Sequence, residues 1–133
     1  MCKAMYVLAG FIWIGVAGGC GDGVTEADRI GVGAQCAAST DCPSVMGIEL
    51  KCLTQFTGGY CGLEGCTSDL DCPEGSACIA HDDGNQYCFR VCQDKPECNY
   101  NRSVANAANC VGSITFVDPR NDRKACEPPS AGL

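Results

Sequence analysis

The stretch Cys66-Thr-Ser-Asp-Leu-Asp-Cys72-Pro-Glu-Gly-Ser-Ala-Cys78, followed after nine residues by Cys88, decides the fold. Its spacing of cysteines recurs in two other sets of four, one on each side along the chain. In every set five residues separate the first two cysteines, whereas the later gaps vary, which is typical of a repeated module with loop insertions. The sequence therefore predicts three tandem four-cysteine modules, over residues 36–61, 62–88 and 89–126.

The second half of each set has the pattern of a β-hairpin. The turns are predicted at Thr57-Gly58, at Asp83-Gly84 and from Asp118 to Asp122, and Asp-Gly in particular is a strong hairpin signal. Such turns place the third and fourth cysteines of a set nearly opposite each other on one face of the hairpin. The expected fold class is a small disulfide-rich protein, in which each module is a loop plus a short β-hairpin with little regular structure.

First-to-third and second-to-fourth pairing is the connectivity expected within each set. Four cysteines allow three connectivities and sequence alone does not select one, so other pairings stay open. The long gaps of the third set also leave room for bridges between modules. The expected pairs are Cys36 with Cys52, Cys42 with Cys61, Cys66 with Cys78, Cys72 with Cys88, Cys92 with Cys110, and Cys98 with Cys126.

Fourteen cysteines among 133 residues put the chain in the disulfide-scaffold class. Its large apolar side chains are too sparse to predict a sizeable continuous core. Covalent cross-links are therefore expected to replace much of the stabilisation that a core provides.

The N-terminus has the pattern of a secretory signal peptide over residues 1–19. A basic start at Lys3 precedes an apolar stretch of about a dozen residues and then a patch of small residues. This stretch, expected to form a signal helix, is shorter than the ~20 residues that a membrane-spanning helix needs. We expect export to an oxidising compartment, where disulfides form and persist.

The junction Val16-Ala17-Gly18-Gly19-Cys20 resembles a bacterial lipoprotein box, although Ala17 stands where such boxes carry a larger aliphatic residue. The resemblance implies lipid attachment at Cys20, which would leave twelve cysteines for the three modules. Simple secretion after an ordinary signal-peptidase cut remains the alternative. Gly21 in second position does not resemble an inner-membrane retention signal and favours the outer membrane. Residues 20–35 are predicted to be a lipid-anchored linker, and residues 127–133 a disordered tail.

The pattern Cys-x5-Cys-Pro with a following Gly and a cysteine hairpin, as in residues 66–78, resembles the cysteine-rich repeats of uncharacterised exported lipoproteins of myxobacteria. It is also distantly similar to EGF-like and Dickkopf-type modules, although EGF modules have six cysteines per unit. The resemblance implies architecture and location, and it carries no catalytic residues.

The sequence offers little recognisable chemistry. A net charge of −7 disfavours nucleic acid, and no two cysteines have the two-residue spacing of zinc or redox sites. His81, the only histidine, is predicted to lie in a solvated turn rather than in a catalytic site. Acidic residues are a weak possibility for Ca²⁺, so no cofactor or metal is expected. The candidate calcium ligands are Asp69, Asp71, Glu74, Asp82, Asp83 and Asn85.

The expected function is that of a non-enzymatic, exported surface lipoprotein that acts as a binding or interaction module. Its partners would be a membrane, through the lipid anchor, and an unknown protein or glycan. The rigid hairpin tips are the candidate binding loops, since rigid exposed loops commonly carry recognition. The alternative is a secreted disulfide-stapled inhibitor or toxin-like protein. The candidate loop residues are Thr57, Gly58, Asp82, Asp83 and Gly84.

Overall fold

The computed structural model describes residues 26–45 and 47–131, and the predicted signal helix and Cys20 lie outside them. The described chain is a small, cysteine-rich protein made mostly of strands, with six disulfides and little helix. Its α-helix is α1 (Glu26–Ile30), and its 3-10 helices are Ser39–Asp41, Asp69–Asp71, Lys95–Asn99 and Val104–Asn106. The strands are β1 (Ser44–Val45), β2 (Ile48–Glu49), β3 (Lys51–Cys52), β4 (Cys61–Glu64), β5 (Ser76–Ala80), β6 (Gln86–Cys92), β7 (Asn109–Val111), β8 (Thr115–Phe116) and β9 (Lys124–Glu127).

Strand β6 is the centre of the main sheet. It pairs antiparallel with β5, β4 and β9, while β3 extends the sheet from β4, β8 from β5 and β7 from β9. Tyr87, Phe89 and Val91 give β6 the aromatic and β-branched side chains that favour strands. The β5–β6 hairpin turns at Gly84, where φ is +86°, a conformation that glycine adopts without steric cost. Strands β1 and β2 form a separate antiparallel pair.

Each of the six disulfides joins the pair that the sequence analysis expects. Their Cα–Cα separations run from 5.4 Å to 6.0 Å, within the range of ordinary disulfides. The hairpins explain this pairing because the third and fourth cysteines face each other across the strands. The facing pairs are Cys52 with Cys61, Cys78 with Cys88, and Cys110 with Cys126.

An acidic side chain stands immediately before the second cysteine of each set and caps the loop there. The Asp41 carboxylate accepts hydrogen bonds from the N–H groups of Ala37 and Ala38 at 2.8 Å and 3.0 Å. Asp71 accepts equivalent bonds from Thr67 and Ser68. Glu97 accepts one from Gln93 at 3.1 Å. The constant five-residue spacing thus corresponds to one recurring turn closed by its last side chain.

The core is continuous across the three sets, which corrects the expectation that apolar residues are too sparse for one. Phe56 from the first set lies against Tyr87 and Phe89 from the second, with ring centroids 5.2 Å and 5.5 Å apart. Ala125 from the third set belongs to the same buried cluster. The few large side chains of the three sets pack into one core because strands from all three sets belong to one sheet.

Part of the predicted linker is packed against this body, so the prediction of a free tether over residues 20–35 is wrong for residues 26–35. Ala27 is fully buried and Val32 nearly so. The N–H of Gly33 donates to the Cys61 carbonyl, and the N–H of Cys61 donates to the Ala34 carbonyl, both at 2.9 Å. The glycines that suggest flexibility instead serve close packing. At Gly33, with φ +90°, an added Cβ would lie 3.2 Å from the Tyr60 hydroxyl.

The predicted disordered tail also packs, through residue 131. Glu127 ends β9, and Pro128 is fully buried. The Thr57 N–H donates to the Pro129 carbonyl at 2.7 Å, and the Ala131 N–H donates to the Gln55 carbonyl at 2.8 Å. The tail therefore covers the loop around Phe56, which is 1% exposed.

Candidate functional site

The Thr57-Gly58 turn is not the free tip that the hairpin pattern suggests. The Thr57 carbonyl accepts a hydrogen bond from the Arg102 guanidinium at 2.6 Å, and the tail lies on its other side. An added Cβ at Gly58 would come within 2.5 Å of the Asn106 side chain. The third set and the tail therefore cover this turn, which corrects its assignment as a binding loop.

The Asp82-Asp83-Gly84 turn does lie at the surface, with all three residues exposed. Asp83 braces it, accepting hydrogen bonds from the Tyr87 hydroxyl at 2.6 Å and from the Asn85 N–H at 2.9 Å. Burial acts to raise the pKa of Asp83, but these hydrogen bonds and nearby His81 outweigh it and lower the pKa below its ordinary value.

His81 lies in the aromatic cluster rather than in a solvated turn, which corrects the prediction for this residue. Its side chain is 7% exposed, and its ring lies edge-on to Phe56 at 5.2 Å and to Tyr87 at 5.7 Å. Its Nδ1 accepts the N–H of Asp83 at 3.3 Å, and its Nε2 is 3.6 Å from a Glu127 oxygen. These contacts give the ring a packing role.

Three of the acidic residues considered for calcium, Asp69, Asp71 and Asp83, make hydrogen bonds within the protein. The two Asp69 oxygens accept from the Cys78 N–H and the Arg123 guanidinium at 2.9 Å and 2.6 Å. Asp71 caps its loop, and those hydrogen bonds lower its pKa. Asp118 accepts from the Asp69 N–H at 2.7 Å. Through these hydrogen bonds, the acidic side chains stabilise turns and loops.

Three cysteine groups of the described chain bring sulfur atoms close together. All twelve cysteines in these sets are in disulfides, and the described residues include no free cysteine. Metal-binding cysteine needs thiolate sulfur, so the clusters are explained by the crossed disulfide pairs of each set.

A cleft of about 590 Å³ opens where the N-terminal segment meets the second and third sets. One wall is formed by α1 and the residues after it, and the end of β6 forms the floor. The 3-10 helix Lys95–Asn99 and the residues after it form the other wall. Disulfides hold the floor and this second wall, since Cys92 and Cys98 both line the cleft. These two sides are therefore cross-linked.

A partly buried ion pair lies at the floor of the cleft. Arg90 is 9% exposed, and its Nε donates to the carboxylate of Asp28. The backbone is fixed as well, because the Arg90 N–H donates to the buried Tyr60 hydroxyl at 3.0 Å. Burial raises the pKa of Tyr60 to about 12, against the smaller effect of that hydrogen bond. The cleft thus has a preformed, charged floor.

Tyr100 forms an aromatic rim above this ion pair. It is 73% exposed, whereas the other tyrosine and phenylalanine residues of the described chain are buried. The Arg90 guanidinium carbon lies 5.6 Å from the ring centroid, within the range of cation–π contacts. An exposed aromatic ring beside convergent polar groups in a cleft is typical of a ligand-binding site.

Two shallower depressions lie elsewhere. One, of about 320 Å³, is lined by Arg120 and Arg123, whose guanidinium groups pair with Asp122 and Asp69. The other, of about 760 Å³, is wide and lies above Arg102, whose guanidinium is committed to backbone carbonyls. Neither depression has both an exposed aromatic ring and an opening to a largely buried charged side chain.

The cleft is hard to find from the sequence because its walls are distant along the chain. Asp28 lies in the predicted linker, and Tyr100 and Arg90 carry no motif. One signal is present: Arg90 is the one charged residue of β6, where a charge needs a partner if it is buried. Nothing local identifies Asp28 as that partner.

The fold and the cleft define a small disulfide-stapled β protein with a preformed surface cleft. No protein-family model matches the chain, and no curated protein or solved structure matches it either. Within residues 26–45 and 47–131, no helix has the length and apolar character needed to cross a membrane.

Proposed function

We propose that this protein is an exported, non-enzymatic binding protein that holds an extracellular ligand in the Arg90–Tyr100 cleft. The observation that carries the proposal is the exposed Tyr100 ring above the partly buried Arg90–Asp28 pair. Ordering flexible groups on binding costs free energy, so a cleft whose floor and one wall are cross-linked by disulfides favours recognition. The exposed Asp82–Gly84 turn is a secondary contact surface.

Export is supported by the six disulfides, which are consistent with an oxidising compartment. We propose further that residues 1–19 are a signal peptide and that Cys20 carries the lipid of an outer-membrane or cell-surface lipoprotein. Intact-mass measurement of the mature protein tests this, with a diacyl adduct on Cys20 as the expected result. An unlipidated protein released into the medium would instead favour the inhibitor or toxin-like class.

The three cysteine sets are best explained as tandem copies of one module that came to share a core. The support is the recurring acidic cap of the loop and the recurring cysteine pair across each hairpin. The four-cysteine repeat then supplies the scaffold, and the contacts between copies supply the binding surface.

A binding role is favoured over catalysis because the one histidine is packed among aromatic rings. Its side chain is 7% exposed and 5.2 Å from Phe56, between ring centroids. General acid–base catalysis requires a group within reach of substrate. Replacing His81 with Ala is therefore expected to affect stability and to leave ligand binding in the cleft intact.

A thermal-shift screen tests the binding proposal directly. The mature protein is heated with oligosaccharides, short peptides and polyamines, and so are the variants Tyr100→Ala and Leu70→Ala. Leu70 is 95% exposed and does not line the cleft, so it is the matched control. A ligand that acts through the cleft raises the Tm of the wild type and of Leu70→Ala but not of Tyr100→Ala. Equal shifts in all three, or none for any class, contradict the proposal.

A further inference from the structure

The hydrogen-bonding groups of the cleft narrow the class of ligand. Arg90 makes one side-chain hydrogen bond within the described part of the chain, from Nε to Asp28. Its two terminal nitrogens have no partner among those residues and are not sealed from solvent. Arg90 is largely buried and still presents hydrogen-bond donors to the cleft. These donors favour a ligand that supplies an oxygen acceptor.

The balance of charge in the cleft disfavours an ionic ligand. An anion would approach Arg90 past the carboxylates of Asp28 and Glu97, on a chain whose net charge is −7. A cation would meet the guanidinium of Arg90 at the floor. Hydroxyl groups both donate and accept, so a neutral polyhydroxy ligand can use the arginine donors and the neighbouring acceptors together.

The rim favours a ligand with a flat apolar face. The Tyr100 ring has Arg90 near its centroid at 5.6 Å, and nearly three quarters of the side chain remains exposed. Pyranose rings present C–H groups on one face and hydroxyls at the edge, which matches an aromatic ring beside hydrogen-bonding groups. The volume of about 590 Å³ lies in the usual range for small-ligand sites.

We infer that the cleft binds a neutral saccharide, with a sugar face on the Tyr100 ring and hydroxyls at the Arg90 end. This inference rests on the proposed binding function and names its ligand class. Recognition combines one aromatic contact and one preformed cation, so a terminal or exposed sugar unit is enough to make both contacts.

An oligosaccharide array with follow-up titration tests the inference. The full mature protein is applied to neutral glucose-, galactose-, mannose- and N-acetylglucosamine-terminated oligosaccharides, and to their sialylated and uronic acid counterparts. Binding to at least one neutral sugar is expected. Tyr100→Ala should weaken it about tenfold or more, as the loss of an aromatic contact implies, whereas Tyr100→Phe, which keeps the ring, should stay within about threefold. Leu70→Ala should bind like the wild type.

Each other outcome overturns the inference in a recognisable way. Binding of acidic sugars alone refutes neutral recognition, and an equal loss in Tyr100→Phe and Tyr100→Ala refutes the stacked arrangement. If no sugar binds while the thermal-shift screen finds a Tyr100-dependent peptide or polyamine, the saccharide inference fails and the binding function stands. If neither assay finds a Tyr100-dependent ligand, both fail.

Discussion

Arg102 joins three distant parts of the chain through backbone carbonyls alone. Its guanidinium donates to Thr57, Gly59 and Asn106 at 2.6 Å, 2.7 Å and 2.8 Å, and to Gly33 at 3.2 Å. Burial lowers its pKa. One cation thus satisfies carbonyls that would otherwise be buried without partners.

Replacing Arg102 with Ala should lower the free energy of unfolding by about 3 kcal/mol, because several charge-assisted hydrogen bonds are lost together. Arg102→Lys keeps the charge but not the planar donors, so it should recover about half of that loss. Guanidinium unfolding with the disulfides intact measures both. An alanine variant as stable as the wild type would show that the arginine is dispensable.

Tyr60 makes stability sensitive to alkaline pH. Burial raises its pKa in the folded state to about 12, above the ordinary value near 10. The neutral Tyr60 side chain therefore contributes about 3 kcal/mol at most to the free energy of unfolding. This contribution is fully present below pH 10 and is lost as the pH rises from 10 through 12. Unfolding measured from pH 8 to 12 should show this decline.

Tyr60→Phe is the control for the alkaline decline. It loses the acceptor for the Arg90 N–H and should be about 1 kcal/mol less stable than the wild type below pH 10. Between pH 10 and 12 its stability should fall less than that of the wild type. Equal slopes for the two proteins would mean that Tyr60 does not cause the decline.

At the scale of single elements, the turn between β3 and β4 depends on Gly59. Its φ is +69°, and an added Cβ would lie 2.1 Å from the Cys36 carbonyl oxygen and 2.8 Å from the Cys52 sulfur. Gly84 has a similar φ of +86°, yet an added Cβ there meets nothing within 4 Å. The two glycines share a left-handed backbone conformation and differ in packing.

We therefore expect Gly59→Ala to prevent efficient formation of the Cys36–Cys52 disulfide, whereas Gly84→Ala costs about 1 kcal/mol from the left-handed backbone alone. Non-reducing peptide mapping after oxidative folding shows which bridges form. Normal yields of the bridge in Gly59→Ala would contradict the close packing described for this turn.

The elements also show what sequence can predict in this protein. The Asp83-Gly84 turn and the opposed pair Cys78 and Cys88 follow from local patterns, so the hairpins and pairings are accessible from sequence. The burial of His81 cannot be predicted from local sequence, because it depends on Phe56 from another set. Asp28 illustrates the same limit for the cleft, since its partner Arg90 is 62 residues away.

At the scale of the whole molecule, three cysteine sets that look separable share one sheet and one core. Strand β6 runs from the second set into the third, β8 of the third set pairs with β5 of the second, and Arg102 and the tail bind the first set from outside. Contacts between sets also create the cleft. The walls and floor of the cleft come from the N-terminal segment and from the second and third sets, so its function depends on these parts folding together.

Hydrogen exchange at increasing guanidinium concentration, with the disulfides intact, tests most directly whether the sets form one body. Amides that report contacts between the second and third sets, such as those of Val91 and Val117, and between the first set and the tail, such as that of Thr57, are compared with amides within the β5–β6 hairpin. A single cooperative body predicts that all of them lose protection at one denaturant concentration. Loss of protection at separate concentrations for the three sets would contradict it.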